Sequence, residues 1–213
     1  MRRARPLAFC LALVAPPAAA HPHVFIDSTL GFRLDADGRL AALEIAWRFE
    51  PFYSALILAE LGLDPGAPPD AAGLAAVAAL QPGWALDFGG EGVLSREGAP
   101  VALGPPAEIA AAFEDGALVI RFARPVAEPP PVRGGRFTAE IYDPTFFVAY
   151  ALIGRPAVTG PGGEACETFN NPFNPVGEAT DLLASLFALG PDETPDDPDV
   201  GALFSDKALL TCG

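Results

Sequence analysis

The stretch Val24-Phe25-Ile26-Asp27-Ser28-Thr29-Leu30-Gly31-Phe32-Arg33-Leu34 decides the fold. Its even-numbered residues, Val24, Ile26, Ser28, Leu30, Phe32 and Leu34, share one largely apolar face. The odd-numbered ones share the other. A period of two is the signature of a strand with one face buried. Asp35-Ala36-Asp37-Gly38 follows as a turn, in which Gly38 takes a positive φ without strain. Leu43, Ile45, Trp47 and Phe49 then alternate with Glu44 and Arg48, so a second strand folds back on the first as a hairpin.

Outward from this hairpin the pattern stays strand-rich. Pro51 suits the first turn of a helix that runs through Phe52–Leu61 and stops at Gly62. Leu63–Gly73 reads as a loop and Ala71–Leu80 as a short helix. Trp84–Phe88 reads as a strand. Ile109–Phe113 and Leu118–Phe122 flank Glu114-Asp115-Gly116, a second hairpin, although Ala107–Ala112 has equal claim to helix by propensity. Pro129-Pro130-Pro131 is a rigid connector. Phe137–Tyr142 and Phe146–Leu152 read as strands separated by Asp143-Pro144. Leu182, Leu183, Leu186 and Phe187 form a helical stripe that Gly190-Pro191 ends. The class is mainly β or α+β, a β-sandwich-like single domain over residues 21–213 with two or three short helices.

The chain has 213 residues, 51% hydrophobic and 19% charged. It is long enough to bury a core without metal or disulfide staples. Its net charge of −14 opposes nucleic-acid phosphates and anionic membrane surfaces. Arg2, Arg3 and Arg5, the apolar Leu7–Ala15 and the small residues Ala18-Ala19-Ala20 read as a signal peptide over residues 1–20. The expectation is cleavage after Ala20 and export to the periplasm, with no later run of the roughly 20 apolar residues a spanning helix needs. Cleavage removes three positive charges and takes the net charge to −17. Cys166 and Cys212 then remain, and an oxidising compartment favours their bridging. Residues 191–199 read as an acidic, proline-rich linker before that disulfide-tethered C-terminal segment.

Both histidines of the mature chain, His21 and His23, sit at its new N-terminus. A free α-amine beside the His21 imidazole forms a chelate, and His23 can add a third nitrogen from an extended chain. Such donors suit one divalent transition metal ion: Zn²⁺, Ni²⁺, Co²⁺ or Cu²⁺. Pro22 lacks an N–H. That excludes the square-planar copper site that uses a deprotonated second amide. Asp27 lies on the His23 face but four residues on, about 13 Å along a strand. Asp143, Glu140 and Glu50 are further carboxylates for the same ion. The plain alternative is a solvated chain end. Glu50-Pro51-Phe52-Tyr53-Ser54 opens a helix apolar nearly all round, which suits a core or a docking surface. Asp192, Glu193, Asp196, Asp197 and Asp199 read as a solvated acidic run. With no histidine after His23, no Gly-x-Ser-x-Gly and no phosphate-binding glycine loop, the chain lacks the marks of a hydrolase, kinase or dehydrogenase.

Several motifs occur in order. They are His21-Pro22-His23-Val24-Phe25-Ile26-Asp27, Trp47-Arg48-Phe49-Glu50-Pro51-Phe52-Tyr53-Ser54 and Val101-Ala102-Leu103-Gly104-Pro105-Pro106. Glu114-Asp115-Gly116, Ile141-Tyr142-Asp143-Pro144-Thr145-Phe146-Phe147 and Gly201-Ala202-Leu203-Phe204 ahead of Cys212 follow. In these the chain resembles domain-of-unknown-function family 1007 over nearly its whole mature length. The resemblance implies a periplasmic component of an uncharacterised ABC-type transport system, encoded near nickel/cobalt permeases and acting in divalent-metal traffic. Relatives carry a calcium-loop-like acidic run after the first helix. Here Leu63–Gly73 offers only Asp64 and Asp70, so calcium is not expected.

Three functional expectations result. The first is a non-enzymatic metal-binding accessory of a cation transporter, using His21 and His23 with a carboxylate such as Asp143, and a membrane metal permease as partner. The second is a ligand-free interaction protein of that permease. The third is a copper oxidoreductase built on an N-terminal histidine clasp.

Overall fold

The computed structural model describes residues 22, 24–87, 92–174, 176–190 and 193–213, with the backbone alone for 81–87 and Glu178. Strand β1 (Val24–Leu34) and β2 (Leu40–Phe49) lead into helices α1 (Pro51–Glu60) and α2 (Ala71–Asp87). Strands β3 (Val93–Arg96), β4 (Ala99–Pro100), β5 (Ala107–Glu114), β6 (Ala117–Pro125), β7 (Arg136–Ile141), β8 (Val148–Leu152) and β9 (Ala157–Thr159) follow. The chain closes with β10 (Cys166–Asn171), α3 (Glu178–Phe187), a 3-10 turn at Val200–Phe204 and β11 (Asp206–Cys212). One sheet runs β5-β6-β2-β1-β8, with β9 also beside β1; the other runs β10-β11-β7-β3-β4. The mainly-β single domain expected from the sequence is thus a two-sheet architecture.

Both sheets feed one core. Phe32, Phe49, Leu43 and Ile120 from the first meet Leu94, Phe137, Ile141 and Leu210 from the second. The alternation in β1 holds on the inner face, with Val24, Ile26, Ser28, Leu30, Phe32 and Leu34 all buried; Gly31, on the outer face, is buried as well. Ser28 is tolerated there because its hydroxyl donates to the Ala46 carbonyl at 3.2 Å. Asp35 builds the hairpin turn, its Oδ1 accepting the N–H groups of Asp37 and Arg39, both at 2.9 Å.

Helix α1 starts at Pro51 and ends in a left-handed Gly62 (φ 70°). The Leu63 N–H returns to the Leu58 carbonyl and the Gly62 N–H to the Ala59 carbonyl, which closes the last turn. At the start of α2, the Asp70 carboxylate accepts the Gly73 N–H at 2.8 Å. The strand expected at Trp84–Phe88 is corrected here. Helix α2 continues across Pro82 and Gly83 through Trp84 to Asp87, against the local propensity of that pair, and Phe88 lies outside the described residues. The alanine-rich Ala107–Ala112 segment, open between helix and strand in the sequence, is strand. It pairs with β6, and the register shifts where Glu108 adopts φ 56°.

Two relationships are long-range. Strands β8 and β9 both run parallel to β1, on the edge that β2 leaves free. Consecutive strands β7 and β8 belong to different sheets, so residues 142–147 form a crossing between sheets rather than a hairpin turn. A small lobe packs on this crossing. Leu186, Val200 and Phe204 form its core, and the Phe204 ring lies 5.0 Å from Phe146 and 5.3 Å from Phe173. The expected disulfide Cys166–Cys212 is present, between residues directly opposite in the β10/β11 pair. Within the acidic linker, residues 193–199 form no helix or strand.

Candidate functional site

The start of β1 is the place where sequence motif and fold meet. Val24 is the parallel register partner of Val148, and its N–H donates to the Phe147 carbonyl at 3.4 Å. Pro22 is buried, so the chain is already packed against the body two residues before β1. His21 and His23, the two histidines expected to hold a metal, lie outside the described residues, as does the expected signal peptide.

The motif Asp143-Pro144-Thr145-Phe146-Phe147 forms the wall beside that strand start. Asp143 is 3% exposed. Its Oδ1 accepts the Thr145 N–H at 2.8 Å and the Thr145 hydroxyl at 2.9 Å, and its Oδ2 accepts the Val148 N–H at 3.0 Å. The Phe146 N–H returns to the Asp143 carbonyl at 3.0 Å, and Phe146 takes the left-handed conformation. A carboxylate accepting three such bonds first organises its own loop. Among the described residues Oδ1 accepts two of these bonds and Oδ2 one. Asp143 therefore couples the loop to Val148, and through the β1/β8 register to Val24.

The other carboxylates are distributed differently. Glu50, half-buried, immediately precedes α1 and follows Phe49, whose register partner is Ile26, so it stands at the same end of the first sheet. Asp27 is exposed on the outer face of β1, opposite Arg48. Glu140 belongs to the second sheet, where its Oε2 accepts the Ser205 hydroxyl at 2.6 Å and pairs with Lys207 at 3.1 Å. The fold thus brings Asp143 and Glu50 to the end where β1 begins, and commits Glu140 elsewhere. Among the described residues no three His, Cys, Asp or Glu side chains gather closely enough to hold a metal ion.

Sequence reasoning missed a groove of about 520 Å³ on the outer face of the first sheet, floored by Gly31, Ala46, Ala123 and Ala157. Its two acidic lining residues, Glu108 and Glu44, are engaged by neighbours outside the lining. Arg33 donates to both Glu108 oxygens at 2.8 and 2.9 Å, and the Thr159 hydroxyl donates to Glu44 at 3.2 Å. The hydrogen bond from Arg33 holds the Glu108 carboxyl below the ordinary range, and the same contact raises the Arg33 guanidinium. The alternation of β1 and β2 was the available signal, since Gly31, Glu44 and Ala46 are all outward residues. It did not reveal that β6 and β9 would line the same depression.

Two sheets around a shared core, a sheet-crossing Asp143 loop against the first strand and a disulfide closing the last define a β-sandwich-like domain with short helices. The chain matches the family described as "Protein of unknown function (DUF1007)" over residues 6–212 and belongs to it. No curated protein matches the chain. Among the described residues, no helix is long and apolar enough to cross a membrane.

Proposed function

We propose that this protein is a periplasmic accessory of a divalent-cation transport system, for nickel, cobalt or zinc. In this reading it binds one ion through the amine and imidazole of His21 and the imidazole of His23. The observation that carries the reading is the junction of Val24 with the Asp143 loop. The sequence His21-Pro22-His23 runs directly into a strand start whose neighbour, Val148, is held by the Asp143 carboxylate. In this reading Asp143 Oδ2, which accepts one hydrogen bond among the described residues, is the oxygen donor that complements the nitrogens. The partner in this reading is a membrane metal permease.

The test is calorimetric titration of exported, cleaved protein with Zn²⁺, Ni²⁺, Co²⁺ and Cu²⁺. The control carries one extra N-terminal residue, which displaces the amine from His21. One-to-one binding that is lost in the control and in His21→Ala/His23→Ala supports the proposal. Equal affinity in all three proteins, or no binding to the cleaved form, overturns it.

A further inference from the structure

The lobe on the sheet crossing carries exposed apolar side chains on an unusually one-signed surface. Val176 is 71% exposed, Leu203 57%, Phe187 43% and Phe147 40%. The lobe's own small core is Leu186, Val200 and Phe204. Leu203 adjoins Phe204 in the chain, Phe187 packs edge-on against Phe146 at 6.5 Å, and Val176 lies two residues ahead of α3. Between residues 172 and 206 the chain has eight acidic residues and no Lys or Arg. Asp181, Glu193, Asp196, Asp197 and Asp199 are all exposed. Isolated exposed apolar residues are ordinary; Val176, Phe187 and Leu203 fall within a segment whose charges from 172 to 206 are all acidic, with the next residue, Lys207, already paired with Glu140, and together they mark an interaction surface.

The charge selects the occupant. An anionic lipid surface is repelled by this segment, and a second copy of the chain would bring acid against acid. We infer that the lobe docks a cationic amphipathic segment of another protein. In such a complex Val176, Phe187 and Leu203 meet the segment's apolar side and the surrounding carboxylates meet its Lys and Arg residues. This inference does not rest on the metal reading and stands without it.

The probe is a synthetic leucine/lysine amphipathic helix, with its leucine/glutamate counterpart and phosphatidylglycerol vesicles as competitors for the same surface. Binding is followed by fluorescence anisotropy of the labelled peptide. The expected result is binding of the lysine peptide alone, weakened about tenfold by Phe187→Ser/Leu203→Ser at unchanged net charge. Val176→Ser, which alters the most exposed of these side chains, must also weaken it while leaving the melting temperature unchanged. That second variant keeps the test sound if the double variant loosens the lobe. No binding, equal binding of the glutamate peptide, preference for the vesicles, or an affinity unmoved by the serine variants overturns the inference. The last outcome is attraction by bulk charge alone.

Discussion

Gly201 and Asp143 are in backbone contact: a Cβ built on Gly201 would fall inside the van der Waals envelope of the Asp143 carbonyl oxygen. The Gly201 N–H also donates to the neighbouring Pro144 carbonyl at 2.8 Å. The obstruction is main chain, which has no rotamer by which to yield. Gly201→Ala must therefore push the lobe off the sheet crossing, at an expected cost of about 3 kcal/mol. Chemical denaturation measures the loss, and near-ultraviolet circular dichroism reports the disturbed Phe146–Phe204 packing. A variant as stable as the parent would show that the two elements are not locked together.

Ser54 ties α1 to the first sheet. Its buried hydroxyl accepts the Leu118 N–H at 2.9 Å and lies 3.4 Å from the Phe49 carbonyl. Ser54→Ala leaves a buried backbone donor without an acceptor, so stability falls by about 1–3 kcal/mol. Faster amide exchange at Leu118 is the specific sign; unchanged exchange would mean that water replaces the hydroxyl at no cost.

The disulfide closes a sequence separation of 46 residues. By the chain-entropy argument, Cys166→Ser/Cys212→Ser lowers unfolding free energy by about 4 kcal/mol. The protein should still fold, because Leu210 and Ala208 bury their side chains without it. A loss under about 1 kcal/mol would place the constraint in the β10/β11 ladder instead.

The Arg33–Glu108 contact sets an acid-side dependence. Glu108 ionises below its ordinary value of 4.5 in the folded protein, mainly through the Arg33 hydrogen bond. A depressed carboxyl contributes stability above the unfolded pKa and loses it as pH falls through the folded one. The melting-temperature gap between the parent and Glu108→Gln should be steady at neutral pH and close below pH 4.5. Salt should narrow it too, since the pair is exposed. A gap that widens in acid would contradict the assignment.

What the sequence made legible was local. Alternation in Val24–Leu34 and Leu40–Phe49 declares the hairpin, Pro51 and Gly62 bracket α1, and Glu114-Asp115-Gly116 marks the turn between β5 and β6. The two cysteines that follow the expected signal peptide leave one pairing. The illegible parts depend on partners remote in sequence. Nothing in Val148–Leu152 says that it joins β1 in parallel while β7 joins the opposite sheet. Trp84 reads as strand because aromatic residues favour strands and Pro82-Gly83 precede it as breakers, yet helix α2 runs across that pair to Asp87. For the candidate site, the motif around Asp143 was visible as a motif. Its burial and its link to Val148 were not, because both arise from the crossing between sheets.

The parallel pairing of β1 with β8 and β9 also governs the order of assembly. The strand synthesised first gains its second neighbour only after the chain has reached Val148 and then Ala157. Until then the β1/β2 hairpin carries a bare row of amide and carbonyl groups, open to pairing with any other extended chain. Such late, distant closure is slow relative to local structure. A nascent chain cut before Val148 therefore carries a β5-β6-β2-β1 sheet whose β1 edge is open and adhesive, and a chaperone that shields that edge would leave only when the C-terminal third arrives.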